Sequence, residues 1–109
     1  SIKHLKIPEN NENSHAYHLY PLLIDFKKLK IKKEQFLFKM KKKYKIKLQV
    51  HYKPIFDFKY YKKKYNYKKL KFPETDNFFK NSVSLPIYFG LKKNDQLNVI
   101  KAIKEILKI

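Results

Sequence analysis

The chain has 109 residues, 27 of them basic against 9 acidic, a formal net charge of +18, and no cysteine. Without cysteine there are no disulfides, thiolate metal sites or thiol nucleophiles, and no run of about 18 apolar residues offers a membrane-spanning helix. The length leaves room for one modest core, and the 43% apolar content is ordinary for a globular domain.

The chain opens at Ser1 on an alternation of apolar and basic residues, with Ile2, Leu5 and Ile7 as its apolar members, and so reads as cut from a longer polypeptide. Residues 8–15, P-E-N-N-E-N-S-H, have no periodicity and predict a polar loop. Residues 16–24 predict a strand, which Pro21 would place at an edge or a bulge because proline cannot donate to the ladder. Residues 32–43 predict a helix: Phe36, Leu37 and Met40 fall at helical spacing and lysines cover the other face. Residues 45–50 alternate, with Ile46, Leu48 and Val50 inward and Lys45, Lys47 and Gln49 outward, as in a half-buried strand.

Residues 51–73 are aromatic, basic and irregular. A short helix follows, with Pro73 suited to its first turn and Glu74 and Asp76 complementing its positive end. Residues 83–87 read as a short strand. Residues 94–108 read as the last helix, capped by Asn94 or Asp95, with Leu97, Ile100, Ile103 and Leu107 as its core face. Short strands with helices between them predict a small open-faced α/β sandwich, with no internal repeat and no interdomain linker.

All 27 basic residues are lysine, whereas nucleic-acid readers draw on arginine for phosphate forks and guanine edges. Lysine, asparagine, isoleucine, tyrosine and phenylalanine all have A+T-rich codons, so much of the charge reads as base composition. Two other readings stay open. The run K-Y-Y-K-K-K-Y-N-Y-K-K could stack tyrosines on bases between backbone-binding lysines, as a freestanding nucleic-acid-binding module. An amphipathic helix over residues 26–44 could lie on an anionic membrane. His15 and His18 have a metal-ligand spacing but no third ligand, Asp25 and Asp57 read as isolated surface carboxylates, and Ser84 has no histidine and acid pattern around it.

Two stretches are less generic. Residues 50–61, V-H-Y-K-P-I-F-D-F-K-Y-Y, crowd a histidine and aromatics around one proline; residues 82–91, S-V-S-L-P-I-Y-F-G-L, lead into the last helix. With S-H-A-Y-H-L-Y-P-L-L-I-D before them, F-P-E-T-D-N-F-F-K-N between them and G-L-K-K-N-D-Q after, they resemble the C-terminal region of the DegT/DnrJ/EryC1/StrS sugar aminotransferases, from about residue 14 to 109. Within the family the resemblance leans to the members that make a UDP-linked 4-amino-4,6-dideoxy-N-acetyl-altrosamine on the route to pseudaminic acid. Some positions depart from the family pattern. Lys45 and Lys47 stand where the turn usually has glycine, Lys92 stands at a usual capping threonine, and Lys53, Asp57 and Lys59 replace other residue types.

The resemblance implies an α+β fold: the small C-terminal domain of a fold-type I pyridoxal-phosphate aminotransferase, a short, mainly antiparallel sheet with helices packed on one face. Residues 1–109 would form one domain, with the large cofactor-binding domain absent. The family's Schiff-base lysine, its acid against the pyridine nitrogen and its phosphate cradle have no match here, and Gly90 is the only glycine. The resemblance therefore implies no catalytic residue on this chain and no activity for it alone. The parent enzyme would move an amino group from glutamate to a UDP-linked 4-keto-6-deoxy sugar, for surface-polysaccharide or flagellin-glycan synthesis. It would act as a cytoplasmic homodimer, without specific nucleic acid or membrane. His51, Tyr52, Tyr60 and Tyr61 would contact the nucleotide sugar from a loop facing the cleft; the alternative is that these aromatics only cover the sheet.

Overall fold

The computed structural model describes residues 3–9, 15–65 and 71–109. Residues 1 and 2, the middle of the predicted polar loop and the part of the Lys/Tyr run over residues 66–69 lie outside them. Strands β1 (Leu5–Lys6), β2 (Tyr20–Ile24) and β3 (Ser82–Leu85) form an antiparallel sheet in the order β1-β2-β3. Helices α1 (Lys33–Tyr44), α2 (Lys59–Tyr65), α3 (Pro73–Asn81) and α4 (Lys93–Leu107) complete the chain, with a 3-10 turn at Ile55–Asp57. The fold is the α+β arrangement expected, a short antiparallel sheet with packed helices.

The core follows from strand and helix periodicity. Leu22 pairs with Val83 and Leu5 with Ile24, so all four share one face of the sheet. Leu22, Ile24 and Val83 are buried there with Phe36 and Met40 of α1 and Val99, Ala102, Ile103 and Leu107 of α4. Phe26 joins them, its ring 5.6 Å from that of Phe36. A fully buried side chain of this size contributes roughly 1.5–3 kcal/mol relative to exposure. Tyr44 donates its hydroxyl to Glu105 at 2.5 Å and ties the end of α1 to α4.

Several expectations are corrected. The second strand begins at Tyr20, not at residue 16, and it is central. Pro21 is tolerated because β1 reaches only the level of Leu23 and Ile24, so beside Pro21 β2 is paired on the β3 side alone. Residues 45–50 keep the predicted alternation of burial but form only one bridge, Gln49 to Ser84, rather than a strand. The third strand runs over Ser82–Leu85 instead of 83–87. Residues 59–65, read as irregular, are helical. On α4, Leu97 and Ile100 point to solvent, while Val99 and Ala102 take the core positions beside Ile103 and Leu107. Lys92 occupies the N-cap of α4, and neither Asn94 nor Asp95 caps it.

Lys45 adopts a backbone conformation that favours glycine. Lys45 closes α1 with φ 59° and ψ 24°, and its N–H donates to the Met40 carbonyl. The left-handed region is disfavoured for a residue with a Cβ, so α1 ends here with backbone strain that glycine would avoid.

Candidate functional site

The sheet face opposite the core carries the polar residues. Alternation along β3 turns Val83 to the core and Ser82 and Ser84 to the other side, where both are buried. Ser84 is fixed in place by a reciprocal pair of backbone bonds with Gln49: its N–H donates at 2.8 Å and its carbonyl accepts at 3.3 Å. Two residues beyond Gln49, His51 lies on the same side. His51 Nδ1 and Ser84 Oγ are 2.8 Å apart. From sequence Ser84 has no histidine and acid pattern around it; the fold brings a histidine to it, and no carboxylate lines the cavity beside them. The two residues are 33 positions apart, and only the Gln49–Ser84 bridge brings them together.

The pair borders a cavity of about 250 Å³ that His18, Lys47, Gln49 and Tyr88 also line. The donor set is one lysine ammonium, two imidazoles, an amide and a phenol, with no carboxylate. Such a set suits a ligand rich in acceptor oxygens, including an anionic one. His18, weighed from sequence only as a metal ligand, thus joins this cavity. His15 stacks on Tyr17, with ring centroids 4.1 Å apart. No group of three metal-ligating side chains occurs among the described residues.

The four predicted contact residues fall into two separate pairs. Tyr52 follows His51 across a cis peptide bond, meets the imidazole edge-on at 4.6 Å, and is otherwise 70% exposed. Tyr60 and Tyr61 lie on α2, not on a loop, and pack edge-to-face at 5.2 Å. Tyr61 also stacks on Tyr65 at 6.2 Å. Lys64 sits over the rings of Tyr60 and Tyr65 and donates to the Tyr60 hydroxyl at 3.3 Å. No ring contact joins the His51–Tyr52 pair to the α2 tyrosines among the described residues.

The carboxylates are not isolated. The Lys28 backbone N–H donates to Asp25 Oδ1 at 3.0 Å and holds its carboxyl below the usual value, opposed by partial desolvation. Lys62 pairs with Asp57 at 2.8 Å and likewise lowers its pKa, assisted by the charge of Lys53. Among the lysines, Lys33 is set apart. Burial lowers its pKa, against the attraction of Glu34; its amine donates to the Phe79 carbonyl at 2.6 Å and lies 5.0 Å above the Phe79 ring. It lines an open groove of about 820 Å³ with Phe26, Leu37 and Lys80. No sequence signal separates Lys33 from the other lysines, because its partner is a backbone carbonyl 46 residues away.

The model of the DegT/DnrJ/EryC1/StrS aminotransferase family matches residues 1–104. The spore coat polysaccharide biosynthesis protein SpsC of Bacillus subtilis is 34% identical over 99 residues, covering 91% of this chain and 25% of that protein. The UDP-4-amino-4,6-dideoxy-N-acetyl-beta-L-altrosamine transaminase of Campylobacter jejuni is 34% identical over 104 residues, covering 95% and 26%. The chain therefore spans about a quarter of the length of the curated relatives it matches. Among solved structures, Helicobacter pylori PseC, an aminotransferase involved in the biosynthesis of pseudoaminic acid, superposes with a TM-score of 0.74 at 27% identity, covering 84% of this chain and 24% of that one. NtdA of Bacillus subtilis, with bound cofactor PMP, superposes at 0.77 and 17% identity over 98% of this chain and 24% of that one, a likeness of fold alone. No helix among the described residues is long and apolar enough to cross a membrane.

Proposed function

The chain belongs to the DegT/DnrJ/EryC1/StrS aminotransferase family, and from that premise we propose that it is the C-terminal small domain of a pyridoxal-phosphate-dependent nucleotide-sugar aminotransferase. The parent enzyme transfers an amino group, with glutamate as donor, to a UDP-linked 4-keto-6-deoxy sugar for surface-polysaccharide or flagellin-glycan synthesis, and works as a cytoplasmic homodimer. The similarity to the altrosamine transaminase and to PseC supports the pseudaminic acid branch.

The residues present do not fit the cofactor. A pyridoxal-phosphate site needs a lysine for the Schiff base and a charged partner for the pyridine nitrogen. The His51 cavity has no carboxylate, and the half-buried amine of Lys33 is committed to a backbone carbonyl. We therefore assign the cofactor to the large domain of the parent enzyme. The 109-residue chain alone is expected to have no transaminase activity. A stoichiometric pyridoxal absorbance band with turnover would overturn that.

The observation that carries this reading is the His51–Ser84 pair at a cavity whose lining suits sugar hydroxyls and a diphosphate. His51 contacts the nucleotide sugar from that cavity, with Tyr52 beside it, and Tyr60 and Tyr61 face the ligand from α2. In the complete enzyme His51→Ala is expected to weaken nucleotide-sugar binding about tenfold, the worth of one good hydrogen bond. Unchanged kinetics together with unchanged stability would remove His51 from the site.

One observation favours a second reading. Every residue of α2 is exposed, and its tyrosines alternate with Lys62, Lys63 and Lys64, as in a platform for single-stranded nucleic acid. Such binding would weaken steeply as salt rises. Tight, salt-sensitive binding of an oligonucleotide, lost on replacing Tyr60 and Tyr61, would favour it over the sugar site.

A further inference from the structure

Ser84 and Ser82 lie two residues apart on the same buried face of β3, yet their hydroxyls have different fates. Among the described residues Ser82 Oγ has no hydrogen-bond partner, whereas Ser84 Oγ has one, His51 Nδ1. We propose that Ser84 is a positioning residue for His51: its hydroxyl donates to Nδ1, which places the imidazole proton on Nε2 and offers an N–H donor to the cavity. The inference rests on the reading of that cavity as the nucleotide-sugar site, and it names how His51 would serve it.

The argument is one of hydrogen-bond accounting. A serine hydroxyl carries one hydrogen and can also accept. Ser84 is 7% exposed, and among the described residues its Oγ makes no bond other than that to His51. If Nδ1–H donated to Oγ, the serine's own hydrogen would have no acceptor among the described residues, adding a second unpaired hydroxyl beside that of Ser82. Donation from Oγ to Nδ1 leaves no orphan, and it assigns the proton of the neutral ring to the other nitrogen.

Geometry supports the assignment. Ser84 is anchored at both backbone groups by Gln49, so its hydroxyl has a fixed origin, and the edge contact with Tyr52 restricts the ring from a second direction. Nε2 makes no hydrogen bond to another described residue. The titratable groups lining the same cavity are His18, Lys47 and Tyr88. A donor beside a lysine ammonium selects an acceptor oxygen, such as a phosphate or sugar oxygen, over a ligand group that can only donate.

The test is the imidazole ¹⁵N spectrum of the labelled 109-residue chain at about pH 8, where an ordinary histidine is neutral. His51 is expected in a single tautomer with Nε2 protonated. Ser84→Ala is expected to lose that preference and give a mixed population, and Ser84→Thr, which keeps the hydroxyl, to restore it. A wild-type ring protonated on Nδ1, or a Ser84→Ala spectrum identical to wild type, would overturn the proposal. Should Ser84→Ala fail to fold, the wild type and Ser84→Thr still decide, because Nδ1 protonation in either refutes it. Addition of UDP to the complete enzyme separates the two readings. A His51 Nε2–H signal that is present but unmoved by UDP defeats the nucleotide-sugar site and leaves the role of the serine standing.

Discussion

Helices α4 and α2 share a composition of lysines and large apolar side chains, yet they stand in opposite relations to the rest of the molecule. α4 buries Val99, Ala102, Ile103 and Leu107 against α1 and the sheet, whereas α2 buries nothing. Length and spacing make the difference. Fifteen residues let α4 repeat an apolar stripe over four turns, with Tyr44 of α1 tied to its Glu105. Seven residues give α2 only the Tyr61–Tyr65 step, and a helix of that length is marginal in water without tertiary support. α2 is held locally instead, by the Lys62 N–H donating to the Phe58 carbonyl at 3.0 Å and by the Lys62–Asp57 pair. One helix belongs to the folding unit; the other is a surface device.

The contrast predicts unequal costs for similar truncations. Phe36 is wholly buried between α1 and the sheet, so Phe36→Ala is expected to destabilise by about 3–5 kcal/mol. Tyr61→Ala, on α2, should stay within about 0.5 kcal/mol. Urea unfolding of both variants measures this, and equal losses would show α2 to be part of the core. Within α4 the same comparison can be sharpened. Leu107→Ala is expected to cost about 2–4 kcal/mol, and Leu97→Ala, at 52% exposure, well under half of that. A reversed order would reinstate the stripe that the sequence suggests.

That stripe shows where sequence reading succeeds and stops. The spacing of Phe36, Leu37 and Met40 identifies the inner face of α1 because lysines, Glu34 and Gln35 occupy most of the other positions. In α4 two apolar stripes overlap, one through Leu97 and Ile100 and one through Val99 and Ala102, sharing Ile103 and Leu107. Periodicity cannot rank them; the position of the sheet and α1 does. α2 was illegible for the opposite reason, since a helix that buries nothing leaves no periodic trace. The motif singles out His51 in the sequence, but its link to Ser84 is not legible there, because it depends on a bridge between distant segments. The caps were hidden as well: Lys32, Phe72 and Lys92 hold N-cap positions that side-chain preference assigns to other residues.

Lys45 gives a smaller and oppositely signed test. It sits on the core side of the comparison, at the end of α1, in a left-handed conformation with φ 59°. Lys45→Gly relieves the Cβ clash but frees the unfolded chain, so the net expectation is stabilisation by about 0.5–1 kcal/mol. Thermal unfolding would register it as a raised midpoint. A lowered midpoint would mean that the lysine side chain contributes more than the strain removes.

The smallest effect concerns α2 alone and is set by pH. The Lys62 ammonium bonded to Asp57 holds its carboxyl below the ordinary value of 3.8. A carboxylate with a depressed folded-state pKa contributes its stabilisation fully above the unfolded value, and that contribution fades as pH falls through the folded value. Between about pH 5 and pH 7 the pair should therefore be intact, and acidification below about pH 4 should loosen it. The pair lies at the surface, with its Lys62 and Asp57 side chains 56% and 34% exposed, so it is screened and its loss should not unfold the domain. Amide exchange protection is expected to fall at Lys62 and its α2 neighbours while Ile24 and Val83 in the sheet keep theirs. Asp57→Asn should reproduce the loosened helix at neutral pH. If acid instead removes protection from α2 and the sheet together, α2 is coupled to the core through contacts other than this ion pair, and the division drawn between the two helices fails.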